Sequence, residues 1–166
     1  MPTDVFRATD ATIVFASDDT LRGGDPAKAV IGQYELTNAI GRLTNLSISV
    51  RSAVEPFYEI GRRYPASLRP GPVSVTGSAE RAFFNGALVR LLLGDGAVSP
   101  PGAAAFVQPA FNVLATVRDA ARPDAFAKVT VFGVQFDSWS YELGTDKDFV
   151  MEAVTFQAMR LGYEEA

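Results

Sequence analysis

The sequence predicts a mainly β, α+β domain in which extended segments dominate and one amphipathic helix, over about residues 78–93, lies against a sheet. Three observations lead there: one segment alternates strictly between apolar and polar residues, several further extended runs are separated by turn chemistry, and only one stretch has helical periodicity. With 166 residues, 48% of them hydrophobic and 20% charged, the chain has the balance of a globular protein and fits one domain spanning 1–166.

Thr12 to Ala16, Thr-Ile-Val-Phe-Ala, reads as a short strand. Ser17-Asp18-Asp19-Thr20 and Arg22-Gly23-Gly24-Asp25-Pro26 follow and read as a long loop, because these residue types favour turns. Gln33 to Asn38 is expected to be extended, with Gly41 separating it from the clearest strand. There, Leu46, Ile48 and Val50 share one face while Asn45, Ser47, Ser49 and Arg51 share the other, so one face is buried and one is wet. Val73 to Thr76 alternates again. Gly77-Ser78 is expected to open the helix, with Ser78 as its cap, Glu80 near its positive end and Gly94 as its stop. Phe84, Leu88, Leu91 and Leu92 form its apolar stripe, with Glu80, Arg81 and Asn85 lying away from it.

After a connector containing Asp95-Gly96 and Ser99-Pro100-Pro101-Gly102, the second half reads as three strands, Phe111 to Arg118, Ala127 to Asp137 and Phe149 to Leu161. The strand from Ala127 to Asp137 carries apolar residues on both faces. That pattern fits a strand covered by a neighbouring subunit on one side, or a central strand buried within the chain.

The 54–72 segment contains Pro56, Gly61, Pro65, Pro70, Gly71 and Pro72, which exclude a helix and suit a central strand poorly. It also holds Phe57, Tyr58, Arg62, Arg63 and Tyr64, and aromatic residues with Arg are the types enriched at protein interfaces. Long structured loops in a compact domain are uncommon and usually functional. These five residues are therefore the candidate contacts to an adjacent subunit; the alternative is a loop folded onto its own domain.

Absence of Cys and His excludes disulfides, zinc sites built from those ligands, His-based triads and thiol nucleophiles. Carboxylate chemistry remains open, but Asp18-Asp19 and Asp146-Lys147-Asp148 lack the spacing of a calcium loop and read as solvated turns. No phosphate-loop or dinucleotide motif is present, so no cofactor and no metal is expected. Trp139 reads as a packing anchor, with stacking on a sugar or base as the alternative. A net charge of −4 disfavours a face that grips nucleic acid, and no apolar run is long enough to cross a membrane.

Residues 43–50 (Leu-Thr-Asn-Leu-Ser-Ile-Ser-Val), the long loop, residues 73–83 (Val-Ser-Val-Thr-Gly-Ser-Ala-Glu-Arg-Ala-Phe) and the Leu-Leu-Gly end near Gly94 together resemble the phage tail tube proteins, particularly those of contractile and related long tails. The similarity covers about residues 34–96. It implies two packed antiparallel sheets, a β-sandwich or barrel flanked by the helix, in a non-enzymatic virion tail protein assembled in the host cytoplasm. It further implies hexameric rings of this chain stacked into a tube, with sheath, baseplate and tail terminator proteins as further partners and DNA passing through the lumen without specific binding. Two other functions remain in view: the tube of a phage-derived contractile injection system carrying protein effectors, and a monomeric β-barrel that binds a small ligand. With the about four wall strands per subunit that the resemblance also implies, a ring has about 24, and strands about 4.8 Å apart tilted by about 40° give a bore near 38 Å once side chains are subtracted. Duplex DNA, about 20 Å across, fits loosely.

Overall fold

The computed structural model describes residues 5–37, 43–83, 85–94, 107–144 and 149–165. Expectations placed on Asn38, Gly41, Phe84, the 95–102 connector and the 145–148 turn lie outside them. A short 3-10 turn at Ala8–Asp10 leads into β1 (Ala11–Ala16), α1 (Gly24–Gln33), β2 (Leu43–Ser52), β3 (Glu55–Phe57), β4 (Ser67–Arg69) and β5 (Val73–Ala82). Then come α2 (Ala87–Leu93), β6 (Phe111–Arg118), β7 (Phe126–Glu142), β8 (Met151–Ala158) and β9 (Arg160–Glu165).

Seven strands form one antiparallel sheet in the order β1-β6-β7-β8-β5-β2, with β9 also paired to β7, and β3–β4 form a separate hairpin. The 17-residue β7 belongs to both halves of the sheet. Its first half runs between β6 and β9, while 135–142 pairs with β8. The two expected packed sheets are thus the halves of one sheet curled on itself and joined through β7. The bend falls where Gly133 takes φ +68° and its N–H donates to Asn112 Oδ1 at 3.1 Å, opposite Met159, which separates β8 from β9. Such bulges turn a strand sharply while keeping the ladders on either side.

Curling brings the apolar faces of the two halves together. Phe15 and Phe111 meet at a tilt with ring centres 4.9 Å apart, Phe111 meets Phe136 edge-on at 5.2 Å, and Phe136 leads to Phe156 at 6.5 Å. Val75, Ala79, Val113, Val131, Val134 and Val154 fill the space around these rings. Each fully buried Phe or Val contributes about 1.5–3 kcal/mol, so this centre fixes the curl.

Three expectations are corrected. The 17–26 stretch is not loop throughout: α1 begins at Gly24 with Asp25 and Pro26 in its first turn, where proline is tolerated, and buries Ala27, Val30 and Ile31. Gln33 ends that helix and is followed by turns rather than an extended segment. Ser78 is no helix cap; it sits inside β5 between Ser47 and Thr155. The helix starts at Ala87, whose N–H is accepted by Asn85 Oδ1 at 3.2 Å. Residues 127–137 run between β6 and β9 in the sheet, with Val131 and Val134 buried and the half-buried Phe132 ring 4.4 Å from the Arg160 guanidinium. Among the described residues, no helix is long and apolar enough to cross a membrane.

Candidate assembly surfaces

Residues 54–72 form an arm. Ala53 N–H donates to the Pro72 carbonyl at 3.1 Å to close its root, and β3 pairs with β4 to stiffen its stem. The five residues singled out from the sequence are all placed here and all exposed. Phe57 is on β3, with the Arg69 guanidinium 5.5 Å from its ring centre; Tyr58, Arg62, Arg63 and Tyr64 lie in the tip. Arg62 pairs with Glu59 at 3.7 Å, and Gly61 makes the turn at φ +87°. Tyr58 is 59% exposed, Tyr64 77% and Ile60 fully so. Residues 49–64 are exposed without interruption, so the arm is not folded onto its own domain. Leu68, on β4 of the same arm, is exposed as well.

The second surface is one face of the half-sheet β2-β5-β8 and residues 135–142 of β7. Alternation places Asn45, Ser47, Ser49 and Arg51 of β2 beside Ser74, Thr76, Ser78 and Glu80 of β5. Thr155 and Gln157 of β8, then Gln135, Ser138, Ser140 and Glu142 of β7, continue it. No large apolar side chain interrupts this run except Met151. The charged members, with Asp137 at the bulge, are one Arg and three acids, a sum of −2. Asp137 accepts from Thr155 Oγ1 and from Gln157 Nε2, the latter at 3.2 Å, and the Thr155 bond holds its carboxyl below the usual value against a smaller opposing effect of burial. Among the described residues, β2 pairs only with β5, and residues 137–142 of β7 pair only with β8. Both edges of the half-sheet are therefore open to further strands.

Behind that face lies a buried polar network. The side chains of Arg81 and Glu152 are wholly buried, and Arg81 Nε donates to Glu152 Oε1. Trp139 Nε1 donates to Glu152 Oε2 at 2.9 Å, and Arg81 Nη2 donates to Asn85 Oδ1 at 2.8 Å and Asn85 O at 3.1 Å. Since Asn85 Oδ1 also accepts from the Ala87 N–H, the network fastens the helix start to β5, β7 and β8. The expectation that Arg81 lies away from the packed side is corrected, because a strand rather than a helix carries it. Trp139 is the packing anchor expected, stacked on Tyr141 at 5.2 Å.

An open cleft of about 480 Å³ separates β1 and β6 from β2. Its walls are Ile13, Leu46, Ile48, Val117, Val129 and smaller uncharged neighbours; Trp139 is not among them, and no titratable side chain faces it.

No family model matches the chain, and no curated protein matches it. Comparison of folds is decisive. The SPP1 tail tube superposes with a TM-score of 0.62 over 98% of this chain and 80% of its own, at 12% identity. The fold is that of a tail tube protein. The cap that terminates the tube of the anti-feeding prophage matches with a TM-score of 0.67 over 100% of this chain and 95% of its own, at 8% identity. A chain of the sheath-tube complex of the extracellular contractile injection system PVC gives 0.62 over 99% and 94%, at 11% identity. The tail tube fold thus spans the whole chain, beyond the 34–96 segment on which the sequence resemblance rested.

Proposed function

We propose that the chain is a structural subunit of a phage tail tube: six copies form a ring, rings stack into a hollow tube in the virion tail, and DNA slides through the bore during ejection. One observation carries this reading. A four-stranded half-sheet with a polar, weakly acidic face and two open edges suits the inner wall of a closed barrel. Pairing the β2 edge of one subunit with the 137–142 edge of the next would close the ring and remove strand edges that otherwise invite aggregation. A wall of Ser, Thr, Asn and Gln with an excess of carboxylates repels phosphates weakly, so DNA is neither gripped nor stalled. The arm, with Phe57, Tyr58, Arg62, Arg63 and Tyr64, supplies contacts to an adjacent subunit or ring. Sheath, baseplate and terminator proteins are the expected further partners.

A second reading, the tube of a contractile injection system with protein cargo, is supported by the PVC and anti-feeding prophage likenesses. It uses the same wall and the same arm. Neither reading requires catalysis. Size-exclusion chromatography with light scattering tests both against a monomeric ligand binder: hexamers and larger stacks are expected as concentration rises, and a strict monomer at high concentration overturns the assembly.

A further inference from the structure

Asn85 and Gly86 form the only Asn-Gly pair in the chain. Packing does not call for the glycine. Its φ of −87° is open to any residue, and among the described residues a β-carbon built there would meet nothing closer than Val89 Cγ1 at 3.7 Å and Tyr34 Oη at 4.0 Å. Glycine after asparagine does have a chemical consequence. With no side chain at 86, the Gly86 backbone nitrogen reaches the Asn85 side-chain carbonyl carbon unhindered, and the attack is intramolecular, closing a five-membered ring.

The surroundings favour that attack at the oxygen. Arg81 Nη2 donates to Asn85 Oδ1 at 2.8 Å, and the Ala87 N–H donates to the same atom at 3.2 Å. Attack on Cγ pushes the carbonyl electrons onto Oδ1, so a guanidinium and a backbone N–H already stand where negative charge develops, as in an oxyanion hole. Arg81 is held in place: its side chain is wholly buried and Nε donates to Glu152 Oε1. Arg81 Nη2 also donates to the Asn85 main-chain oxygen at 3.1 Å. The two oxygens it touches are the two carbonyl oxygens of the cyclic imide that ring closure would form.

We propose that Asn85 is a self-modification site at which the folded chain turns its own amide into a carboxylate. The Gly86 nitrogen gives up its proton and bonds to Asn85 Cγ; the Cγ–Nδ2 bond breaks, and ammonia leaves with that proton. Water then adds to one of the two imide carbonyls and opens the ring. Attack at the main-chain carbonyl frees the main-chain carboxylate and leaves the β-linked isomer; attack at Cγ frees the side-chain carboxylate and leaves aspartate. One water is consumed and one ammonia released, with no change of oxidation state. In either product the new carboxylate carries an oxygen that Arg81 already contacts, and its bond to the guanidinium becomes one between opposite charges. The net charge goes from −4 to −5, one unit more negative, in chains that have aged after folding. Nothing in this step depends on tube assembly.

The test follows the amide in the protein itself. Wild-type protein is kept in mildly alkaline buffer, folded or in concentrated urea, and sampled by tryptic digestion and mass spectrometry of the peptide 82–90, which contains Asn85. Conversion at Asn85 is expected about tenfold faster in the folded chain than in urea, with Asn45 and Asn112 retaining their amides. Gly86→Ala, for which the structure has room, is expected to slow the folded rate by about tenfold or more. Arg81→Met/Glu152→Leu, which lacks the guanidinium, is expected to convert no faster folded than unfolded. A folded chain that keeps its amide while the unfolded chain loses it overturns the proposal, because the fold then protects Asn85. Conversion as fast as wild type in Gly86→Ala overturns the imide route, and in the double variant it overturns the part assigned to Arg81.

Discussion

Replacing Glu152 by Ala removes the carboxylate that Arg81 and Trp139 share, and leaves a guanidinium inside the protein. Both side chains of the ion pair are wholly buried, so water cannot take the place of the lost partner without opening the fold. Arg81 would keep its two contacts to Asn85 through Nη2 but lose the carboxylate that Nε bonds. Breaking a buried pair by deleting one member costs about 3–5 kcal/mol, about a fifth or more of the roughly 5–15 kcal/mol usual for a domain. With a urea m-value of about 2 kcal/mol/M, the midpoint should fall by about 1.5–2.5 M. The double variant Arg81→Met/Glu152→Leu removes both charges and should lose only about 1–2 kcal/mol, chiefly from the orphaned Trp139 N–H and Asn85 side chain. Trp139 is the only tryptophan and touches Glu152 directly, so its fluorescence in urea titrations of dilute protein reports the transition. A Glu152→Ala midpoint within about 0.5 M of wild type, or a double variant whose loss equals the sum of the two single losses, would refute this account of the network.

Other expectations follow from the same structure. Changing Phe57 and Tyr58 together to Ser should leave urea stability within about 0.5 kcal/mol of wild type, because both side chains are exposed, while abolishing tubes in electron micrographs. A β-carbon added at Gly77 would sit 2.3 Å from Phe156 Cζ and 2.4 Å from the Ser47 carbonyl oxygen, so Gly77→Ala should cost about 1–3 kcal/mol. Gly32→Ala, in α1 with open space around it, should instead be neutral or stabilising by up to about 1 kcal/mol in the same titration. Asp137, held below its usual value mainly by Thr155, contributes stability that is present above the ordinary carboxylate range and is lost as pH falls through its lowered value. Urea midpoints of wild type and Asp137→Asn should therefore differ near neutral pH and converge in strong acid; a difference that persists there would reverse the assigned sign.

The strands with period-two alternation or dense β-branched content, Leu43–Ser52 and Phe111–Arg118, were legible because their apolar positions turn inward, buried at Phe111 and Val113 and half-buried at Leu46 and Ile48, although Val50, expected on the buried face, is exposed. Gly77-Ser78 misled for a physical reason. The usual sense of that pair is a turn and a cap, but Gly77 is in mid-strand because the Phe156 ring occupies the space a side chain would need, a contact from a segment nearly 80 residues away in sequence. The same error put Arg81 on a helix surface, when its strand parity points it at Glu152. Pro26 and the glycines around it concealed α1, whose apolar face is limited to Ala27, Val30 and Ile31. The content of the arm was legible from its aromatic and arginine residues, but not its shape: only the structure shows a hairpin standing clear of the body. Phe83 and Tyr141, whose ring centres lie 5.4 Å apart, are far apart in sequence and meet through the β5–β8–β7 ladders, so no local pattern marked them.

Electron cryomicroscopy of the purified protein at assembling concentrations tests the central claim most directly. Hollow tubes with a bore near 38 Å are predicted, their inner wall built from β2, β5, β8 and residues 135–142 of β7, with Ser47, Thr76 and Thr155 facing the lumen. Tubes whose bore is lined instead by β1, β6 and β9, or protein that stays as single compact particles at every concentration, would contradict it.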